Sequence, residues 1–144
     1  MQKICTQCSA AFEITNDDLT FYKKISPLIP EIISSKKTLR EIVIIASLIE
    51  AEAKSKVDRE MVSDILWKRL KLGMPLQVDS EMVTYEFKGL PEKPINYPGL
   101  VSIEAAIHPT STPYLYFLFG HDGAMHYAKT FEEHKRNIAK FLGD

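Results

Sequence analysis

The sequence has no surplus of charge, no long apolar run and almost no cysteine, and each lack removes a class of protein. Eighteen Lys and Arg stand against nineteen Asp and Glu, a formal net charge of -1. That balance argues against bulk attraction to nucleic acid or to an anionic membrane surface. The longest aliphatic run, Ile42 to Ile49, is flanked by charge and falls far short of the roughly 20 apolar residues of a membrane span. The opening stretch MQKICTQCSAAFEIT lacks the apolar centre of a secretory signal. No internal repeat or low-complexity tract occurs. As it stands, the chain reads as cytoplasmic or as a fragment of something longer.

Cysteine is limited to Cys5 and Cys8, a single C-x-x-C. A structural zinc site needs four ligands, usually two such pairs or a Cys pair with a His pair. The spaced histidines, His121 and His126, lie more than a hundred residues away. The segment resembles half of the zinc-ribbon-like leaders of some bacterial proteins, without their second cysteine pair. A reduced, unliganded pair is the expectation, with Cys5 and Cys8 the weak candidate for metal and no cofactor otherwise.

What is present is one domain's worth of chain: 144 residues, 45% hydrophobic and 26% charged, enough for a core. Residues 1–37 read as a loosely packed leader: a short helix from Asp17 to Lys24, stopped by Pro27 and Pro30. Its apolar positions are few (Phe12, Ile14, Leu19 and Phe21), and a soft boundary is expected near Ser35. From Thr38 the pattern sharpens. Thr38 and Glu41 form a capping box, opening a helix expected to reach about Lys54. A second helix, VDREMVSDILWKRLKLG, stops at Gly73. LQVDSEMVTYEF alternates and predicts one or two strands, and the proline-rich KGLPEKPINYPGL is a loop. A short helix over 102–107 follows. YLYFLF, GHDG and MHYA predict a hairpin, and TFEEHKRNIAKFL a last helix with its own capping box, Thr130 to Glu133.

Steps of three and four from Val43 reach Ala46 and then Glu50. Glu50 therefore lies on the apolar stripe, whereas Glu52 is turned about 200° away by the helical period. A carboxyl group on such a stripe acquires a raised pKa and serves as a general acid near neutrality, as glycosidic cleavage requires. The plainer alternative pairs Glu50 with Lys54, and Glu52 with Lys56, as surface i,i+4 ion pairs.

The stretches IASLIEAEA, LWKRLKLGMPLQVDS, TYEFKGLPEKPINYPG, SIEAAIHP, PYLYFLF and GAMHYAKTFEEHKRN occur in an order that resembles the endolytic murein transglycosylase (YceG-like) family, over roughly residues 38–142. The resemblance implies a catalytic domain over 38–144, shortened between Ser80 and Thr84, and an α+β fold of amphipathic helices on a small, mainly antiparallel sheet. It implies a lytic transglycosylase that cleaves the β-1,4 bond between N-acetylmuramic acid and N-acetylglucosamine within glycan strands and leaves 1,6-anhydro ends. Glu50 corresponds to the family's catalytic acid. Gln77, Asp79, Tyr85, Asn96, His126 and Lys129 are the candidate substrate-binding residues. Peptidoglycan strands, and cell-wall synthesis proteins besides, are the implied partners. The family is anchored in the cytoplasmic membrane facing the wall, and its anchor and preceding subdomain are expected to be replaced here by the cysteine-bearing leader. Two rival readings stay open: an inactive glycan-binding remnant, and a zinc-ribbon-bearing cytosolic interaction protein.

Overall fold

A computed structural model describes residues 1–5 and 8–143. The chain opens on a small hairpin, β1 (Gln2–Ile4) paired antiparallel with β2 (Ala11–Glu13). Cys5 and Cys8 lie in its turn, and both are thiols. Helix α1 (Asn16–Ile25) starts on a capping box in which Thr15 and Asp18 exchange hydrogen bonds. As expected, α1 stops just ahead of Pro27. Pro27 and Pro30 also each sit in the first turn of a new piece, the 3-10 turn Ser26–Leu28 and helix α2 (Ile29–Ser34), where proline's missing N–H costs nothing.

The leader is more than a loose appendage. Ile25, Leu28 and Ile32 are buried in the same core as Ile42, Ile45 and Ile49, so apolar contact crosses the position where a soft boundary was expected. Loose packing describes the β1–β2 hairpin better: Ile4 is 70% exposed. The side chain of Phe12 lies outside the described residues.

Helix α3 (Leu39–Glu52) carries the expected box, with Thr38 and Glu41 bonded reciprocally. Helix α4 (Lys56–Leu72) ends at Gly73 in the left-handed conformation, the favoured residue there because it has no Cβ to clash. These two helices and α6 (Leu100–Ile107) pack on one another and make most of the core. The second hairpin, β3 (Tyr116–Phe119) against β4 (Met125–Ala128), pairs Phe117 with Tyr127 and Leu118 with His126. It lies against the helices through Phe117, Met125 and Tyr127. Helix α7 (Phe131–Phe141) closes the chain. Its capping box is half formed: Glu133 N–H donates to Thr130 Oγ1, but the Glu133 carboxylate accepts from Lys129 N–H instead. The architecture is α+β, as expected, with two separate antiparallel hairpins.

The strands expected over 76–87 are absent. Leu76 and Val78 do point inward and are fully buried, which is the alternation a strand would show. No neighbouring strand meets them beyond one isolated bridge, Pro75 to Lys88. Buried Thr84 instead folds the segment onto itself: its hydroxyl accepts from Val78 N–H and donates to Glu81 C=O. Helix α5 (Val83–Glu86) follows from that turn.

Candidate functional site

Helix α3 ends at Glu52, and its last turn presents the two glutamates in different directions. Glu50 is met by α4 and α6. Ser102 Oγ donates to Glu50 Oε2 in a short hydrogen bond. Arg59 Nη1 stands 3.7 Å from the same oxygen, and its Nε donates to Ala53 C=O at 3.1 Å. Arg59 thus caps the end of α3 and steers its carboxylate together. Glu50's side chain is 32% exposed, neither sealed in the core nor free on the surface.

Gly99, the residue before α6, completes this corner. A β-carbon there would stand 3.7 and 3.8 Å from the two Glu50 oxygens. The loop carrying Gly99 is pinned to α3 one turn earlier. Ile95 N–H donates to Ser47 Oγ, and Asn96 Nδ2 donates to Ser47 C=O at 2.8 Å. Asn96 therefore acts on the site through loop placement. The plainer alternative of i,i+4 pairs does not form, because the helix stops before Lys54. Lys54 Nζ lies over the Phe119 ring instead, at 4.9 Å, and Lys56 pairs with Glu60.

Glu52 faces another wall. Its Oε1 accepts from Ser80 N–H at 2.9 Å. It lines a cavity of about 320 Å³ together with Arg69, Gln77, Asp79, Tyr85, His134 and the rings of Phe117, Phe119 and Phe131. Tyr85 OH donates to Asp79 Oδ1 at 2.5 Å. Burial, that hydrogen bond and the carboxylates of Asp79 and Glu52 push the Tyr85 phenol well above its ordinary range. Arg69, only 3% exposed, holds the cavity's floor by donating to Leu115 C=O, Pro75 C=O and Gln77 Oε1. It also stacks on Tyr116 at 4.7 Å.

Three expected site residues, Gln77, Asp79 and Tyr85, are therefore brought together, but around Glu52. Glu50 was expected to line a groove with Gln77 and Asp79, and it does not line their cavity: the helical period that separates the two glutamates also separates their surroundings. His126 and Lys129 are elsewhere. His126 Nε2 lies 2.9 Å from Asp122 Oδ2 and its ring stacks on Phe141. That bond to His126 is the main cause holding the Asp122 carboxyl below its usual range. Lys129 is exposed. A larger groove of about 730 Å³ runs between residues 80–87 and the loop 88–95. Among the described residues no three His, Cys, Asp or Glu side chains gather as a metal site.

Sequence reasoning missed Arg59, Ser102, Arg69 and His134. Ser102, Arg69 and His134 stand inside quoted motifs, SIEAAIHP, LWKRLKLGMPLQVDS and GAMHYAKTFEEHKRN, and could have been weighed there. Arg59 lies outside them, and only the turn after α3 brings it back onto Glu50 and Ala53.

Comparison with known proteins follows the same lines. The model of the YceG-like family matches residues 2–83 and 79–140. The match reaches back to residue 2, so the leader expected to fall outside the resemblance lies inside it. Its two stretches meet at 79–83, where the chain was expected to be short. The endolytic murein transglycosylase of Bacillus subtilis (strain 168) is 33% identical over 92% of this chain and 41% of its own length. That of Streptococcus pneumoniae serotype 2 (strain D39) is 30% identical over 83% of this chain and 27% of its own. The crystal structure of a yceG-like protein from Listeria monocytogenes superposes with a TM-score of 0.77 at 27% identity, covering 89% of this chain and 53% of that one. The chain thus spans well under half the length of these two transglycosylases.

Proposed function

This chain belongs to the YceG-like family, and from that premise we propose that it carries the peptidoglycan-cleaving core of an endolytic murein transglycosylase, with Glu50 as its acid–base group. One observation carries the reading. Ser102 and Arg59 both engage Glu50 Oε2, whereas Oε1 has no partner among the described residues; both oxygens lie beside Gly99. A carboxyl group with one oxygen fixed and the other open is oriented to exchange a proton with a substrate.

The protonated carboxyl would give its proton to the glycosidic oxygen between N-acetylmuramic acid and N-acetylglucosamine as that bond breaks. The C6 hydroxyl of the muramic residue would attack its own C1, forming the 1,6-anhydro ring. Glu50, now a carboxylate, would take the hydroxyl proton and return to its starting state. No water is consumed and no second carboxylate is needed, unlike the two-carboxylate scheme of most glycosidases. The glycan strand is the partner this chemistry requires, which sets the site of action on the wall side of the cytoplasmic membrane. Among the described residues no helix is long and apolar enough to cross a membrane.

The test is cleavage of purified, peptide-free glycan strands, read by mass spectrometry for anhydro ends. Glu50→Gln keeps shape and the Ser102 contact but cannot cycle a proton, so cleavage should drop at least about a hundredfold, the low end for general acid–base catalysis. Its thermal stability should stay within about 1 kcal/mol, the scale of a partly exposed ion pair. Equal cleavage by wild type and Glu50→Gln overturns the assignment. Strand binding without cleavage by the wild type would favour the inactive remnant, a reading that the break in the family match at 79–83 keeps specific.

A further inference from the structure

We propose that Ser102 is a positioning residue for the reaction: its hydroxyl holds Oε2 of Glu50, so that the exchanged proton is carried on Oε1. The inference deepens the reading of Glu50 as the acid–base group and rests on it.

The direction of the hydroxyl comes first. Ser102 is fully buried, in the first turn of α6. A buried serine in a helix commonly donates back to a carbonyl of its own helix, as buried Ser47 does in α3, to Ile44 C=O at 2.7 Å. Ser102 donates instead across the packed α3–α6 interface, to Glu50 Oε2. The helix behind it is firmly seated, with Ile103, Ala105, Ala106 and Ile107 all buried. Such an element places a side chain more closely than a loop can.

What else holds the carboxyl is the second argument. Arg59 Nη1, at 3.7 Å, stands beyond hydrogen-bond reach and acts on Glu50 through charge, while its Nε is engaged by Ala53 C=O. On another side is Gly99, which has no side chain to buttress the two oxygens beside it. Among the described residues, the Ser102 hydroxyl therefore makes the one hydrogen bond that fixes the plane of the Glu50 carboxyl.

The third argument concerns the proton itself. A serine hydroxyl has a single proton to donate, and Ser102 directs it at Oε2. When Glu50 is protonated, its own proton is then left to Oε1. The Oε1–H bond breaks as the glycosidic oxygen takes that proton, and Oε1 recovers a proton from the C6 hydroxyl. Ser102 keeps its own proton throughout and acts only through Glu50.

Ser102→Ala removes the hydroxyl and little volume. On purified glycan strands it should lower kcat roughly ten- to a hundredfold, the scale of a misplaced catalytic group. KM should stay within about twofold, as loss of an interaction felt in the transition state requires. The variant should melt within about 3 °C of the wild type. Made in Glu50→Gln, the same change should lower residual cleavage by less than about twofold, because no proton is left to aim. A second readout needs no cleavage. The proton magnetic resonance spectrum of the full chain should hold a hydroxyl signal that Ser102→Ala removes and that Glu50→Gln moves, since an amide is a weaker acceptor than a carboxylate. Wild-type kcat in Ser102→Ala, a fall of kcat and melting temperature together, an equal factor in the Glu50→Gln background, or a hydroxyl signal indifferent to Glu50→Gln would each overturn the proposal. An error in the acid assignment shows separately, as full activity of Glu50→Gln, while the hydroxyl signal still reports whether Ser102 holds Glu50.

Discussion

Ile32→Ala should destabilise the whole domain, although Ile32 lies in the segment whose sequence reads as a detachable leader. The side chain is 4% exposed and packs in the core with Ile25, Leu28 and the buried face of α3. Removing an isoleucine from such a position costs about 2–5 kcal/mol, transfer and cavity terms together. For a domain near 150 residues each kcal/mol moves the midpoint by roughly 2–4 °C, so a loss of about 3 kcal/mol lowers the melting temperature by roughly 6–12 °C. The natural comparison is Ile4→Ala. It deletes the same atoms from a residue that is 70% exposed, and an exposed change of this kind stays within about 0.5 kcal/mol.

The assay is already in the chain. Trp67 is its one tryptophan. It packs against the core from α4 and donates its Nε1–H to Ala106 C=O at 3.0 Å. Its fluorescence therefore reports the core, and Lys37 Nζ at the end of the leader lies over its ring at 4.6 Å. If α2 is part of the core, the Trp67 transition in Ile32→Ala shifts with the loss of helical circular dichroism, and Ile4→Ala leaves both in place. A Trp67 midpoint equal to wild type in Ile32→Ala would refute the reasoning and restore a boundary near Ser35.

Two further predictions concern the floor of the Glu52 cavity. Arg69→Lys keeps the charge but cannot reach Leu115, Pro75 and Gln77 at once, since lysine lacks the planar fork; it should cost about 2–3 kcal/mol, measured by denaturant unfolding, and a cost under about 0.5 kcal/mol would deny Arg69 its structural role. His134 is held below the ordinary histidine value of about 6.5 by burial first and Arg69 second, with Asp79 opposing. The unfolded chain therefore binds the proton more readily, and the stability this histidine contributes is complete above about pH 6.5 and lost as pH falls through the lower folded value. His134→Phe keeps a ring against Tyr116 and should flatten the stability slope between pH 7 and 5.5; an unchanged slope would show that another group titrates there.

Local signals in this sequence were legible where the chain answers to itself. The Thr38–Glu41 box, the Gly73 stop and the β3–β4 hairpin each depend on residues within a few positions, and each forms as its pattern predicts. Residues 76–87 misled because alternation records only which side chains point inward. Leu76 and Val78 do so, but a strand also needs a partner, and the Thr84 hydroxyl supplies the Val78 N–H with a bond a ladder would have supplied. Pro27 and Pro30 were read only as a stop, which α1 obeys at Ile25, but proline also begins the next helical piece. At the site, the direction of Glu50 followed from the helical period. Its partner Ser102 comes from 52 residues away, and no spacing rule reaches that far.

Glu52 shows where a correct geometric step still led to a wrong inference. Turning it off the apolar stripe made it look like a solvated surface residue, yet the 77–84 loop and β3 close over that second face. The E-x-E spacing then has a consequence for mechanism. Two carboxylates that share one glycosidic bond must face each other across it at about 5–9.5 Å. Glu50 and Glu52 instead leave one helix about 200° apart, with the helical backbone between them, and they meet different elements: Arg59 and Ser102 for the first, Ser80 for the second. Glu52 is in no position to activate water on the bond that Glu50 would protonate, nor to trap the sugar as a covalent intermediate. Of this pair only Glu50 is left for the proton transfer proposed above. The proposed intramolecular hydroxyl needs no second carboxylate from this pair, and anhydro rather than reducing ends on cleaved strands would be its signature.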